Sequence, residues 1–139
     1  MTYTQLWRSL TPLYAAGEAQ AVARTVLEMQ FGLTLTDIVC GKVNELSADE
    51  KISLDKIFLR LRQGEPVQYV LGRAEFCGRE FCVTPSVLIP RQETSRLVDL
   101  SAARMAGGQR ALDVGTGSGC IAVSLALRCP MAYVEAWDL

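Results

Sequence analysis

From Met1 to about Arg62 the apolar residues recur at helical spacing, with no strand-like alternation and one proline, Pro12. Residues 17–31, GEAQAVARTVLEMQF, set Val22, Ala23, Val26, Leu27 and Gln30 along one face and predict a helix. Residues 47–64, SADEKISLDKIFLRLRQG, make a stronger case. Ser47 and Glu50 have capping-box spacing, Leu54, Ile57, Phe58 and Leu61 form the apolar stripe, and Gly64 stands just past the end. Between the two, Thr34 and Asp37 repeat the capping spacing ahead of a short helix that Gly41 stops. A bundle of roughly four short helices is expected over residues 1–64.

The pattern changes after Gly64. Residues 74–83 hold two short apolar-aromatic runs that predict a β-hairpin joined at GRE, with Cys77 and Cys82 on facing strands. PSVLIPRQET follows as an extended stretch between Pro85 and Pro90, because a residue before proline is pushed out of the α region. A helix is expected at 93–106, closed by Gly107 and Gly108. RALDVG predicts a short buried strand, SGCIAVSLALRC a helix ended by Pro130, and AYVEAWDL a second strand. That order, β-loop-α-β, begins a parallel sheet and gives an α/β fold class. The expected domains are 1–64, helical; 65–92, hairpin and extended linker; and 93–139, the start of an α/β domain.

Charge and cysteine usage narrow the function classes. The 139 residues carry 14 basic and 15 acidic side chains, divided seven against seven before Gly64 and seven against eight after it. Neither half is built for a phosphate backbone or an anionic lipid surface. Five cysteines without C-x-x-C spacing suit reduced thiols, and the absence of histidine removes histidine acid–base chemistry and histidine-containing zinc sites from these residues. With no long apolar run, the chain is expected to be cytoplasmic, without membrane or direct nucleic-acid binding and without a metal.

The candidate chemistry lies in ALDVGTGSGC, residues 111–120. A P-loop requires a lysine at its end, and Lys42, Lys51 and Lys56 are all remote in sequence. The dinucleotide fingerprint G-x-G-x-x-G/A is one residue longer than the run Gly115, Gly117, Gly119, and its third small residue would fall on Cys120. The form Asp113-x-Gly115-Thr116-Gly117-Ser118-Gly119 is the one found in S-adenosylmethionine-dependent methyltransferases. Glycines let the backbone approach the adenosyl-methionine moiety closely. Asp113 can answer its ammonium group, the N–H groups of a helix opening at Ser118 or Gly119 its carboxylate, and Asp138 both ribose hydroxyls.

Residues 64–94, GEPVQYVLGRAEFCGREFCVTPSVLIPRQET, taken with LDVGTGSGCIAVSLAL, closely resemble the protein-(glutamine-N5) methyltransferases of the HemK type, which modify peptide-chain release factors. The resemblance runs from about Gly64 to Leu139, and the first sixty-odd residues share helical character and size only. It implies a helical N-terminal domain, a hairpin linker and the first β-α-β of a class I, Rossmann-like methyltransferase domain, incomplete in this chain. It also implies S-adenosylmethionine as cofactor, held at Gly115, Thr116, Gly117, Ser118, Gly119 and Asp138, and a release factor as protein substrate, for whose recognition the helical domain is the natural candidate. Ile89-Pro90-Arg91-Gln92-Glu93-Thr94 corresponds to the family's I-P-R-P-[DE]-T-E element beside the cofactor, which places Arg91 and Thr94 next to the site. Gln92 stands where proline is usual and Ser95 where an acid is usual; loss of the proline is expected to loosen the segment.

The family's catalytic Asn-Pro-Pro-Tyr is absent from residues 1–139, so no catalytic residue is assigned here and these residues alone are expected to be inactive. Two other functions fit some of the same features: an adenine-N6 nucleic-acid methyltransferase, which the balanced charge disfavours, and a non-catalytic helical protein-interaction module.

Overall fold

The computed structural model describes residues 1–105 and 107–139, which divide into two compact units, Met1–Leu71 and Gly72–Leu139.

The first unit is helical: α1 (Tyr3–Arg8), α2 (Ala16–Phe31), α3 (Leu35–Val39), a 3-10 turn at Lys42–Glu45, α4 (Ala48–Arg62) and α5 (Val67–Leu71). Three of these helices begin with a complete capping box, Thr2 with Gln5, Thr34 with Asp37 and Ser47 with Glu50. In each, the capping hydroxyl accepts from the backbone N–H three residues on, and that residue's side chain accepts from the cap's own N–H. Helix α4 buries Leu54, Ile57, Phe58 and Leu61, the stripe expected of it, against Leu6, Leu10 and the buried face of α2. That face is Ala19, Ala23, Val26 and Leu27; Gln30 shares its angular position but lies in the last turn of α2 and is exposed.

Helix α5 lies within residues 65–92, where the sequence predicts only a hairpin and an extended linker. Its carbonyls are held by α4: Arg60 Nη1 donates to the Val70 carbonyl at 3.1 Å, and Arg60 Nε donates to Glu65 Oε2 at 2.7 Å just ahead of α5. Val70 completes the anchoring by joining the core. Pro66 stands just ahead of α5, and its carbonyl accepts from Val70 N–H at 3.0 Å.

The second unit opens with the antiparallel hairpin β1 (Arg73–Phe76) and β2 (Arg79–Cys82), in register Ala74 opposite Phe81 and Phe76 opposite Arg79. The joining turn is Cys77-Gly78, so Cys77 does not face Cys82 across the strands as expected; Arg73 does. A type I′ two-residue hairpin loop has positive φ at both positions, as Cys77 (φ 49°) and Gly78 (φ 74°) do here. Phe76 and Phe81 then meet edge to face, ring centroids 6.3 Å apart, and pack with Val98, Cys120 and Leu125.

A 3-10 turn at Gln92–Thr94 leads into α6 (Ser95–Arg104), and β3 (Arg110–Val114), α7 (Cys120–Arg128) and β4 (Tyr133–Trp137) complete the unit. Ala106, expected to end the helix before β3, lies outside the described residues. Strands β3 and β4 pair in parallel, Arg110 opposite Tyr133 through Val114 opposite Trp137, with α7 as the crossover. β3 is not the buried strand the sequence suggested. The register places Leu112, Val114, Tyr133 and Trp137 on one face, which is open, and Val114 is 72% exposed. The opposite face, with Val134, packs against the core of the unit. The architecture is thus mixed α/β: helices first, then a hairpin, then a parallel β-α-β. Among the described residues, no helix is long and apolar enough to cross a membrane.

Candidate functional site: a glycine turn between two acids

β3 ends at Val114, and the chain turns back through Gly115-Thr116-Gly117-Ser118-Gly119 into α7. The turn is fastened to the neighbouring strand, because Gly115 N–H and Thr116 N–H both donate to the Trp137 carbonyl, at 2.8 and 3.0 Å. All three glycines have positive φ (72°, 59° and 81°), a region that costs any other L-residue about 1 kcal/mol or more. Helix α7 starts at Cys120, later than the Ser118 or Gly119 opening expected, because Gly119 is left-handed and acts as the cap. Gly119 N–H closes the turn on the Thr116 carbonyl at 3.0 Å.

The two candidate acids sit at the same ends of the paired strands. Asp113, half-buried in β3, accepts a hydrogen bond from Thr116 Oγ1 at 2.8 Å through Oδ2. That bond restrains the carboxylate and was not visible in the sequence, since it depends on the turn folding back over its own strand. Asp138 follows β4 immediately and accepts from Gly117 N–H at 2.6 Å, with its other oxygen accepting from Leu139 N–H at 2.8 Å. These bonds, Leu139 first and Gly117 second, hold the Asp138 carboxyl below its ordinary pKa, and it is ionised at neutral pH. Turn and second acid are therefore in direct contact, 21 residues apart in sequence.

Ser118 is half-buried within the turn. Arg91 and Thr94 are brought together with each other, Thr94 N–H donating to the Arg91 carbonyl at 3.1 Å, but neither makes a hydrogen bond or ion pair with the glycine turn. Trp137 lies on the open face of the sheet and is 59% exposed. Beside Asp113 a cavity of about 400 Å³ opens between α6, β3 and α7, with Leu97, Ser101 and Arg104 of α6 on its wall. The i, i+4, i+7 spacing of these three puts them on one face of a helix, the one signal in the sequence that could have found them.

The arrangement suits a zwitterionic nucleoside. Beyond its chain neighbours, a Cβ on Gly115 or Gly117 would meet no atom within 4 Å, so the space beside both glycines is open. Around that space stand a carboxylate with one oxygen engaged by Thr116, a second carboxylate at the neighbouring strand end, and the start of α7, where the Cys120, Ile121 and Ala122 N–H groups come ahead of the first intrahelical bond, from Val123 N–H to the Gly119 carbonyl. Acid for ammonium, acid for a diol, and amide donors for a carboxylate are the three complements that an amino-acid-bearing nucleoside needs.

Residues 10–72 match the PrmC N-terminal domain family. A release factor glutamine methyltransferase of Bacteroides thetaiotaomicron is 46% identical over 132 residues, 95% of this chain and 48% of that protein. The chain is similar to the release factor glutamine methyltransferases. It matches the N-terminal part of these proteins. Release factor glutamine methyltransferases of Neisseria gonorrhoeae (41% identical, 84% of this chain, 43% of that protein) and Koribacter versatilis (48%, 68% and 35%) are similar in the same way. The chain spans about half the length, or less, of these release factor glutamine methyltransferases. The expectation that the first sixty-odd residues share only helical character and size with the family is corrected by the domain match, which extends through them from residue 10.

Proposed function

We propose that this chain carries the methyl-donor half of an S-adenosylmethionine-dependent enzyme that methylates a glutamine side-chain amide in a peptide-chain release factor. The observation that carries the proposal is the contact between the glycine turn and the two acids at the ends of a parallel β3-β4 pair. The family of the relatives supplies the direction of the chemistry. In this reading residues 93–139 begin a class I, Rossmann-like methyltransferase domain, 65–92 link it to the rest, and 1–64 dock the protein substrate in the cytoplasm.

Gly115, Thr116, Gly117, Ser118 and Gly119 form the cradle, with Arg91 and Thr94 beside it. Asp113, restrained by Thr116, takes the ammonium group, and Asp138 takes the ribose hydroxyls. When bound, the cofactor supplies an electrophilic methyl group on a sulfonium centre. The accepting amide is a weak nucleophile, because its lone pair is delocalised into the carbonyl. Catalysis therefore rests on acceptors that orient the NH₂ group toward the methyl. Residues 1–139 contain no Asn-Pro-Pro-Tyr to do this.

The test is methyl transfer from labelled S-adenosylmethionine by the protein expressed from its full reading frame, offered a release factor or duplex DNA. Label on a glutamine of the release factor is expected. Label in DNA alone would establish the adenine-N6 alternative, and donor binding without transfer to either would leave the interaction-module reading standing. Residues 1–139 expressed alone are expected to transfer nothing.

A further inference from the structure

Position 92 carries glutamine where the I-P-R-P-[DE]-T-E element that this segment resembles has proline, and the backbone around it is that of a proline site. Arg91 has φ −95° and ψ 141°, the extended region that a following proline ring imposes. Gln92 is the first residue of its 3-10 turn, where a proline's missing N–H leaves no bond unmade, and the Gln92 N–H donates to no described residue. What replaces the ring is a contact made by the side chain: Gln92 Nε2 donates to the Glu75 carbonyl at 2.9 Å.

That carbonyl lies on the outer edge of the hairpin. Val83 N–H donates to the Gly72 carbonyl, and hydrogen-bonded pairs alternate along an antiparallel ladder. Ala74 with Phe81 and Phe76 with Arg79 are therefore the bonded pairs, and Glu75 turns its backbone groups away from β2. The Gln92 carboxamide thus satisfies an edge carbonyl of β1 and ties the start of the turn before α6 to the hairpin.

We propose that Gln92 is a positioning residue that does with a tether what proline does with a ring, clamping Arg91–Thr94 to the hairpin edge so that Arg91 and Thr94 are held for the methyl donor. The function of the clamp rests on the cofactor reading above; its existence does not. The sequence-based expectation that losing the proline loosens the segment is replaced by a segment fixed through a different bond.

The test compares wild type, Gln92→Ala and Gln92→Pro in the protein expressed from its full reading frame. Two readouts are used: hydrogen exchange at the Thr94 and Ser95 amides, which donate to the Arg91 and Gln92 carbonyls, and KM against kcat for S-adenosylmethionine. One side-chain hydrogen bond is worth roughly a fivefold change in an equilibrium. Gln92→Ala is expected to speed exchange at both amides and to raise KM by about that factor with kcat nearly unchanged, and Gln92→Pro to restore both. Exchange unaltered in the alanine variant, or altered and not restored by proline, overturns the clamp. Exchange that responds while KM does not overturns its positioning role. A wild-type protein that neither binds nor uses the donor sinks the cofactor reading instead, and the exchange data still decide the clamp.

Discussion

Alanine substitution at two glycines of one turn separates the conformational demand of the turn from its demand for space. Gly117 has φ 59°, and alanine there adopts a left-handed backbone at a cost of about 1 kcal/mol. Beyond its chain neighbours, its Cβ would meet no atom within 4 Å, so no steric term is added. Gly119 has φ 81° and the same conformational cost, but its Cβ would come to rest 3.9 Å from Val123 Cγ2, an ordinary contact with the first turn of α7. Both variants are therefore expected to lose about 1 kcal/mol of folding stability, read as a shift in denaturant midpoint at constant slope. Their donor affinities should part. A methyl on Gly117 occupies the open space beside the turn and crowds a ligand seated there; a loss equivalent to two hydrogen bonds at about 1 kcal/mol each weakens Kd about thirtyfold. A methyl on Gly119 faces the helix and should leave Kd within about threefold, the conformational cost being shared by free and bound states. Titration calorimetry with S-adenosylmethionine on the full-reading-frame protein measures both. Equal affinity losses in the two variants, or undiminished binding by Gly117→Ala, would refute the assignment of the open space beside the turn to the ligand.

The remaining predictions concern the helical unit. Ser47→Ala removes the hydroxyl that accepts from Glu50 N–H at the start of α4 and should lower stability by about 1 kcal/mol in chemical denaturation; Ser47→Gly should cost only a few tenths, and equal losses would argue against the capping bond as the cause. Asp37 is held well below the usual carboxylate range, chiefly by its hydrogen bond from Lys42 and then by the Thr34 hydroxyl and N–H. A depressed folded pKa stabilises the fold above the unfolded value of about 4 and loses that contribution as pH falls through the lower folded value. Melting temperatures taken from pH 6 downward should therefore fall less steeply below about pH 4 in Asp37→Asn than in wild type, and parallel curves would remove Asp37 as the source.

Helix α4 was legible in the sequence because independent signals coincide there: a capping box, an apolar stripe of period 3.6 and a glycine just past the end. Helix α5 was not, because five residues are too few to show a period and its stability comes from elsewhere, from Val70 in the core and from Arg60 reaching over from α4. The hairpin was found but its turn misplaced. Cys77 is an unusual residue at positive φ, and nothing local announces that the glycine after it shares the two-residue loop. The short apolar strand β3 seemed buried because alternation over five residues does not say whether the second face of a sheet has a partner. At the candidate site, the glycine spacing and both acids could be read from the chain, whereas the Thr116–Asp113 bond, the late start of α7 and the Gln92 tether all arise from how the chain folds back on itself.

The parallel pairing of β3 and β4 explains why two acids so far apart in sequence reach one turn. Parallel strands end on the same side, and here the last pair is Val114 with Trp137. Ladder bonding does not stop there: the Trp137 carbonyl takes the N–H groups of both Gly115 and Thr116, so the glycine turn is in effect the continuation of β3 along the end of β4. The residue after Trp137 is then carried to the turn's midpoint, where the Asp138 carboxylate meets Gly117 N–H at 2.6 Å. Asp113 needs no such delivery, because it is already in β3 and the turn brings Thr116 back to it. A slip of one residue in the pairing would move Asp138 out of reach of Gly117 and reverse the faces of β4, putting Val134 outward and Trp137 into the packed side. Placing Val134 against the core therefore also fixes the distance between the acid and the turn, so core packing and site geometry are set by one register.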